Sequence, residues 1–176
     1  QQPAGLAMTR VGYARTLTAE GVLSLRPGLV LASADAGPPA VLAQLRAAGV
    51  RVVRTDAEHS FEALVRNVRI VAEALGRGEA GARLVTALER EWHAVLARIR
   101  APAPRPRAMF VLAHAAASVQ VYGAGTAAHA MLELAGAVNG LSGFNGYRPL
   151  TAEAAIGAAP DVIVTTSQGI DALGSI

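Results

Sequence analysis

Hydrophobic and polar residues follow one another along the first third of the chain in a pattern that predicts short strands separated by a helix. Apolar runs at 28–32 and 50–53 predict two buried strands. Between them, Pro38 and Pro39 open a helix at the position where a missing N–H costs nothing. A strand, a helix and a second strand in this order are typical of a parallel sheet.

Two amphipathic helices are predicted in the middle of the chain. Apolar residues recur at helical spacing over 60–75, and Gly76 ends that pattern. A longer run covers 79–100. At about 1.5 Å per residue this helix would extend for on the order of 30 Å, which is enough to bridge two lobes. The proline-rich segment 101–107 follows it as a stiff connector.

The alternation of strands and helices resumes after the connector. Strands are predicted at 108–113, 118–122 and 162–166, helices at 127–134, 151–159 and from Ser167 onward, and a loop rich in Gly and Asn at 141–148. We therefore predict an α/β fold of two Rossmann-like lobes. The N-terminal lobe covers 1–78, the interlobe helix 79–100 and the C-terminal lobe 101–176, and we expect both lobes to lack pieces at the ends of the chain.

An internal repeat supports this two-lobe interpretation. Leu-Thr-Ala-Glu occurs at 17–20 and again at 150–153, and a proline follows seven positions after each glutamate. Thr18 can cap a helix, and Glu20 then lies in its first turn, where the helix dipole favours a carboxylate; Glu153 is the matching first-turn glutamate of the second copy. A repeat of this kind predicts two lobes built on one plan.

Composition excludes several classes of function. The 176 residues are 52% hydrophobic, which is enough for a substantial core. The net charge is +3 and the basic residues are dispersed, so nucleic-acid binding is not expected. The absence of cysteine excludes disulfides and thiolate metal sites. No apolar run reaches the length of a membrane span, so we expect no membrane insertion.

Catalytic motifs are also missing from the sequence. Gly123 to Thr126 lacks the lysine of a phosphate-binding loop, and there is no nucleophile elbow or HExxH. The four histidines are scattered without the paired spacing of a metal site. We expect a binding protein, with an α/β enzyme whose Ser, His and Asp assemble in space as the alternative from another class.

Three motifs carry a resemblance to a known family. They are VGYARTLTAEG at 11–21, YGAGTAA at 122–128 and GYRPL at 146–150. With the bridging helix, they make the chain resemble the periplasmic haem-binding proteins of bacterial ABC haem importers, the HmuT, ShuT and PhuT type. Those class III substrate-binding proteins have two lobes joined by a long backbone helix, with a ligand cleft between them. The resemblance covers 11–166, but the family's opening strand and helix are absent and the second lobe is unfinished.

The resemblance implies a periplasmic protein that carries haem as its transported ligand. Its partners would be an ABC permease with its ATPase and, upstream, an outer-membrane haem receptor system. A sibling protein that carries cobalamin or a ferric siderophore is the alternative within the same class.

The resemblance also implies that Tyr13 is the axial ligand of the haem iron. A phenolate is a hard anionic donor that suits ferric iron. Free tyrosine has a pKa of about 10, so a nearby cation would favour the charged form. Arg15 lies two residues on, and in an extended segment both side chains share one face. We expect Arg15 to donate to the Tyr13 oxygen.

Further residues receive roles from the resemblance. Glu20 and Glu153 match the acidic residues that dock onto arginines of the permease. His114 follows a predicted strand end, where open α/β sheets bind ligands, and is a candidate haem contact from the second lobe. The remaining candidate contacts of that lobe are Tyr122, Tyr147 and Arg148; the guanidinium of the last matches a propionate carboxylate.

Overall fold

The computed structural model describes residues 9–99, 104–113 and 119–173, and these divide into two compact units at residues 88 and 89. The elements of the first half are α1 (Ala19–Leu23), β1 (Leu29–Ala32), α2 (Pro39–Ala47), β2 (Arg51–Arg54), α3 (Phe61–Ala74) and α4 (Gly78–Arg98). Those of the second half are β3 (Arg107–Ala113), β4 (Val119–Tyr122), α5 (Ala127–Leu134), β5 (Val138–Asn139), β6 (Tyr147–Pro149), α6 (Ala152–Ala158), β7 (Val162–Thr165) and α7 (Ser167–Leu173). The predicted α/β class is confirmed.

The first unit is built around a parallel pair of strands. β1 and β2 run in register from Leu29 opposite Arg51 to Ala32 opposite Arg54. The helix α2 connects them and buries Leu42 and Leu45, which are 2% and 0% exposed. Burial of such side chains contributes about 1.5–3 kcal/mol each. Because β1 and β2 are parallel, their carboxyl ends lie at the same edge of the sheet.

The two central helices form where the apolar spacing predicts them. The side chain of Ser60 caps α3 by accepting from the Ala63 N–H at 3.1 Å. The helix α4 follows with 21 residues and includes the position at which the two units divide. The predicted boundaries of the lobes and of an interlobe helix at 79–100 stay a prediction.

The second unit contains a mixed sheet of five strands. β3 pairs in parallel with β5 and β7, whereas β4 runs antiparallel to both β3 and β6. One face of this sheet buries Met109, Val111 and Val121, with Ala158 of α6 against them. The prediction of a loop over 141–148 was wrong at its end, because Tyr147 and Arg148 belong to the edge strand β6.

The internal repeat extends to the backbone conformation. Thr18 accepts from Gly21 N–H at 3.2 Å, and Thr151 accepts from Ala154 N–H at 3.1 Å, so each caps a short helix that leads to a strand. The residue before each matched proline has a left-handed backbone, with φ of 47° at Arg26 and 40° at Ala159. Left-handed backbone is uncommon for residues other than glycine. Its occurrence at matched positions shows that the two segments share one local design.

Candidate functional site

Tyr13 lies in a tight turn on the surface of the first unit. The Thr16 N–H donates to the Tyr13 carbonyl at 2.9 Å, and the Tyr13 side chain is 62% exposed. The chain turns at Ala14 and Arg15, so the extended geometry that would put the Tyr13 and Arg15 side chains on one face is not formed. Tyr13 therefore presents a phenol to the solvent from a closed turn.

Hydrogen bonds fasten this turn to the loop that follows β1. The Gly37 N–H donates to the Ala14 carbonyl at 2.9 Å, and the Gly37 carbonyl accepts from the Leu17 N–H at 3.0 Å. The loop leaves the carboxyl end of β1. Ligands of open α/β sheets bind at the carboxyl ends of strands. Tyr13 is thus held at the edge of the sheet where a ligand is expected.

Arg15 makes an ion pair in this loop. Its Nε donates to Asp35 Oδ2 at 2.7 Å, and the Ser33 hydroxyl donates to Asp35 Oδ1 at 2.7 Å. The hydrogen bonds from Ser33 and from Arg15 hold the pKa of the Asp35 carboxyl below its usual value. Donation from Arg15 to the Tyr13 oxygen stays a prediction. Sequence reasoning missed Asp35; the available signal was an acidic residue three positions after the end of the predicted strand 28–32.

A second ion-pair cluster follows β2 at the same edge. Arg66 of α3 donates from Nε and a terminal nitrogen to Asp56 Oδ2 at 2.9 and 2.6 Å, and to Glu58 at 2.7 Å. The Glu58 N–H and the Arg66 side chain lower the pKa of Asp56, and Asp56 in turn raises the pKa of Arg66. His59 is exposed in this loop, in keeping with the surface position that its polar context predicts.

The two predicted docking residues occupy equivalent positions. Glu20 lies in the first turn of α1 and Glu153 in the first turn of α6, and both are exposed. Each of these helices runs back to the amino end of a parallel strand, β1 or β7. Each glutamate therefore lies toward the carboxyl edge of the sheet in its own unit.

Tyr122 and Tyr147 form a cross-strand pair in the second unit. They lie opposite each other on β4 and β6, with ring centroids 5.7 Å apart, and Phe110 meets the Tyr122 ring edge-on at 5.4 Å. Tyr122 is three residues from Val119, which pairs with the last residue of β3. At about 3.3 Å per residue this is about 10 Å from the carboxyl edge. Their role as haem contacts stays a prediction.

The two aromatic side chains differ in exposure and in surroundings. Tyr147 is 61% exposed. Tyr122 is half-buried and lines an apolar cavity of about 540 Å³ with the helix α5. Tyr122 therefore packs within the unit, while Tyr147 offers a ring to the outside.

The side chain of Arg148 lies on the opposite face of β6 from that of its neighbour Tyr147. It pairs with the buried Val121, and its guanidinium carbon lies 3.6 Å from the centroid of the Phe144 ring. Adjacent strand residues point to opposite faces of a sheet. The structure thus does not bring Arg148 and Tyr147 to the same face.

One candidate histidine of the second unit is not described by the structure, and another contacts a buried amide. His114 lies outside the described residues. Asn139, 1% exposed, donates to the Tyr122 carbonyl at 3.0 Å and accepts from the Leu141 N–H at 3.0 Å, which fixes its amide orientation. The second amide hydrogen faces His129 Nδ1 at 3.3 Å. This makes Nδ1 an acceptor and gives His129 the structural role of packing against a buried amide.

The described ranges 9–99, 104–113 and 119–173 hold no group of three or more His, Asp or Glu residues that could bind a metal ion. Within the same ranges, no helix is both long and apolar enough to cross a membrane.

Comparison with known proteins identifies the family. A family model described as "Periplasmic binding protein" matches residues 1–174. The chain therefore belongs to the periplasmic binding protein family, a class of substrate-binding proteins. A relative in Bacillus subtilis (strain 168), the uncharacterized ABC transporter substrate-binding lipoprotein YvrC, is 26% identical over 84% of this chain and 48% of its own length.

Solved structures with the same fold include several haem-binding proteins. The periplasmic heme-binding protein BhuT, in complex with two hemes, is 44% identical with a TM-score of 0.87 over 96% of this chain and 64% of that chain. RhuT from Roseiflexus sp. RS-1, in apo form, is 38% identical with a TM-score of 0.84 over 96% of this chain and 65% of that chain. HutB of Vibrio cholerae is 27% identical with a TM-score of 0.83 over 99% and 67%. The chain thus spans about half of the curated relative and about two thirds of these structures.

Proposed function

We propose that this protein binds haem in the periplasm and delivers it to an inner-membrane ABC permease, with the iron held by the Tyr13 phenolate. The observation that carries the proposal is an exposed Tyr13 in a turn fastened to the carboxyl end of β1. The similarity to BhuT, whose structure contains two hemes, supports haem as the ligand.

The chemistry of a tyrosine ligand fits haem capture. An anionic oxygen donor favours ferric iron, the form that haem takes in an oxidising space. The phenolate is generated when iron binds, and in this proposal the cation of Arg15, two residues along the turn, offsets part of the cost of that charge. Because Tyr13 is exposed in a closed turn, it can meet an incoming ligand without unfolding the loop.

Side chains of the second unit complete the proposed contacts. Tyr147 presents an exposed aromatic ring, which can pack against the flat apolar face of a porphyrin. His114 would supply a distal contact or a ligand for a second haem. Arg148, which lies on the opposite face of β6 from Tyr147, stays a candidate for a propionate, and the half-buried Tyr122 stays a candidate for the porphyrin edge.

Delivery is proposed to depend on the paired glutamates. Glu20 and Glu153 are exposed in the first turns of α1 and α6, one in each unit. An acidic side chain in this position can meet an arginine of the permease as a charge-assisted pair. The outer-membrane haem receptor system would act upstream by supplying haem to the periplasm.

The paired glutamates provide a test that separates delivery from capture. Reversing both charges, Glu20→Arg with Glu153→Arg, should leave hemin affinity unchanged and abolish haem-dependent growth of a strain that relies on this importer. The matched control reverses Glu62, an exposed first-turn glutamate of α3. Normal growth with the double reversal would contradict docking through these residues, and binding of cobalamin or a ferric siderophore in place of hemin would contradict haem as the ligand.

A further inference from the structure

Asp35 connects the two parts of the proposed iron site. One carboxylate oxygen accepts from Arg15 Nε at 2.7 Å, and the other accepts from the Ser33 hydroxyl at 2.7 Å. Two residues later, Gly37 binds the backbone of the Tyr13 turn through both its N–H and its carbonyl. The loop that starts at the end of β1 therefore holds the turn by its backbone and the arginine by its side chain.

We propose that Asp35 is a positioning residue of the Tyr13 site, which fixes the Arg15 guanidinium beside the turn so that its positive charge supports the phenolate bound to iron. This inference rests on the proposed function and names a residue that the family resemblance does not supply. The side chains of Arg15 and Asp35 are 59% and 53% exposed. An unheld arginine at such a site would sample many rotamers, and its average field at the phenolate would fall.

Asp35 has two opposing effects on the reduction potential of iron bound by the Tyr13 phenolate. Its own negative charge disfavours a second anion and lowers the reduction potential of bound iron. By holding Arg15, it keeps a cation near the oxygen, which weakens electron donation to iron and raises that potential. If positioning dominates, removal of the whole side chain lowers the potential. If the charge alone matters, removal of the charge raises it.

Two substitutions at Asp35 separate these effects. Asp35→Asn removes the charge but keeps an oxygen that can accept from Arg15 Nε. Asp35→Ala removes both the charge and the acceptor oxygen. The hemin-loaded protein, the two variants, Arg15→Ala and the Arg15→Ala/Asp35→Ala double variant are compared by the reduction potential of the iron and by the rate of haem transfer to apomyoglobin.

The expected pattern is specific to positioning. Asp35→Ala lowers the potential, as Arg15→Ala does, and each speeds haem loss by about tenfold, the effect of one charge-assisted hydrogen bond. Asp35→Asn raises the potential and changes the rate of haem loss less than threefold, on the order of a residual weak interaction. In the double variant, loss of Asp35 adds no further increase in the rate of haem loss, because Arg15 is already absent.

Controls distinguish this proposal from the function on which it rests. Glu133→Ala breaks an exposed ion pair with Arg105 at 3.0 Å and should leave potential and haem loss unchanged. Ser33→Ala removes only the second donor to Asp35. It should shift the reduction potential in the same direction as Asp35→Ala, but by less. This variant keeps the test available if Asp35→Ala does not fold. If both Asp35 variants shift the potential in the same direction, or neither differs from the unmodified protein, positioning is wrong while haem binding stands. Failure of the unmodified protein to bind hemin overturns both.

Discussion

Replacing the two capping threonines tests whether the repeat builds equivalent first turns. In Thr18→Ala the Gly21 N–H loses its acceptor at 3.2 Å, and in Thr151→Ala the Ala154 N–H loses its acceptor at 3.1 Å. Loss of an N-cap costs about 1 kcal/mol. We expect each variant to lower the free energy of unfolding by about that amount, which in a unit of this size lowers the melting temperature by about 4–8 °C.

Urea unfolding measures this loss, and hydrogen exchange locates it. The slope of the urea dependence should be unchanged, because the same surface is exposed on unfolding. Exchange should accelerate at the Gly21 amide in one variant and at the Ala154 amide in the other. Thr→Ser at each position keeps the hydroxyl and should restore most of the stability. Alanine variants as stable as the serine variants would refute the capping assignment.

The cap prediction has a functional consequence. The helix α1 has five residues and α6 has seven, and helices this short are not stable without their caps and packing. A frayed first turn would no longer hold its glutamate in one place. We therefore expect Thr18→Ala to reduce haem uptake while hemin affinity stays the same, and an equal loss of both would show that the helix also shapes the binding site.

Two further outcomes follow from the geometry. Gly123→Ala should destabilise the second unit by on the order of 2 kcal/mol in urea unfolding, because a Cβ there would clash with the Phe144 carbonyl oxygen. Gly143→Ala, where a Cβ would meet nothing within 4 Å, should be neutral, and equal stability of the two variants would contradict this. The pKa of Asp56 is lowered by its contacts, so its contribution to stability is present above its usual pKa of 3.8 and is lost as the pH falls. Urea unfolding of Asp56→Asn should accordingly lose the acid dependence that comes from the Glu58 N–H and the Arg66 side chain acting on this carboxyl, and an unaltered pH profile would contradict it.

The sequence predicts the elements whose signals are local. The helices α1, α3, α5 and α6 begin directly after a capping Thr or Ser, and the strands β1, β3 and β7 coincide with apolar runs. The two-residue β5 and the edge strand β6 were not predicted, since each exists only through pairing with a distant strand. Short strands that contain proline and glycine neighbours carry too weak a pattern to be recognised.

Some features of the candidate site could likewise be predicted from local sequence signals, and others could not. The motif singles out Tyr13 as the candidate ligand, and the loop after β1 holds its turn at the carboxyl edge of the first unit. The Arg15–Asp35 pair and the attachment of the 13–16 turn to Gly37 could not be predicted, because they depend on hydrogen bonds between residues about twenty positions apart. The opposite orientations of Tyr147 and Arg148 could not be predicted either, because they follow from the strand β6, which the sequence did not reveal.

The central claim is that the Tyr13 phenolate binds haem iron, and an absorbance titration with hemin tests it most directly. The unmodified protein should show a saturable Soret shift with the charge-transfer band of high-spin ferric iron. Tyr13→Phe keeps the ring and removes the donor oxygen, and it should lose that band and bind hemin far more weakly. A Tyr13→Phe variant with the same spectrum and affinity as the unmodified protein would contradict the ligand assignment, and the absence of a saturable shift in the unmodified protein would contradict haem as the ligand.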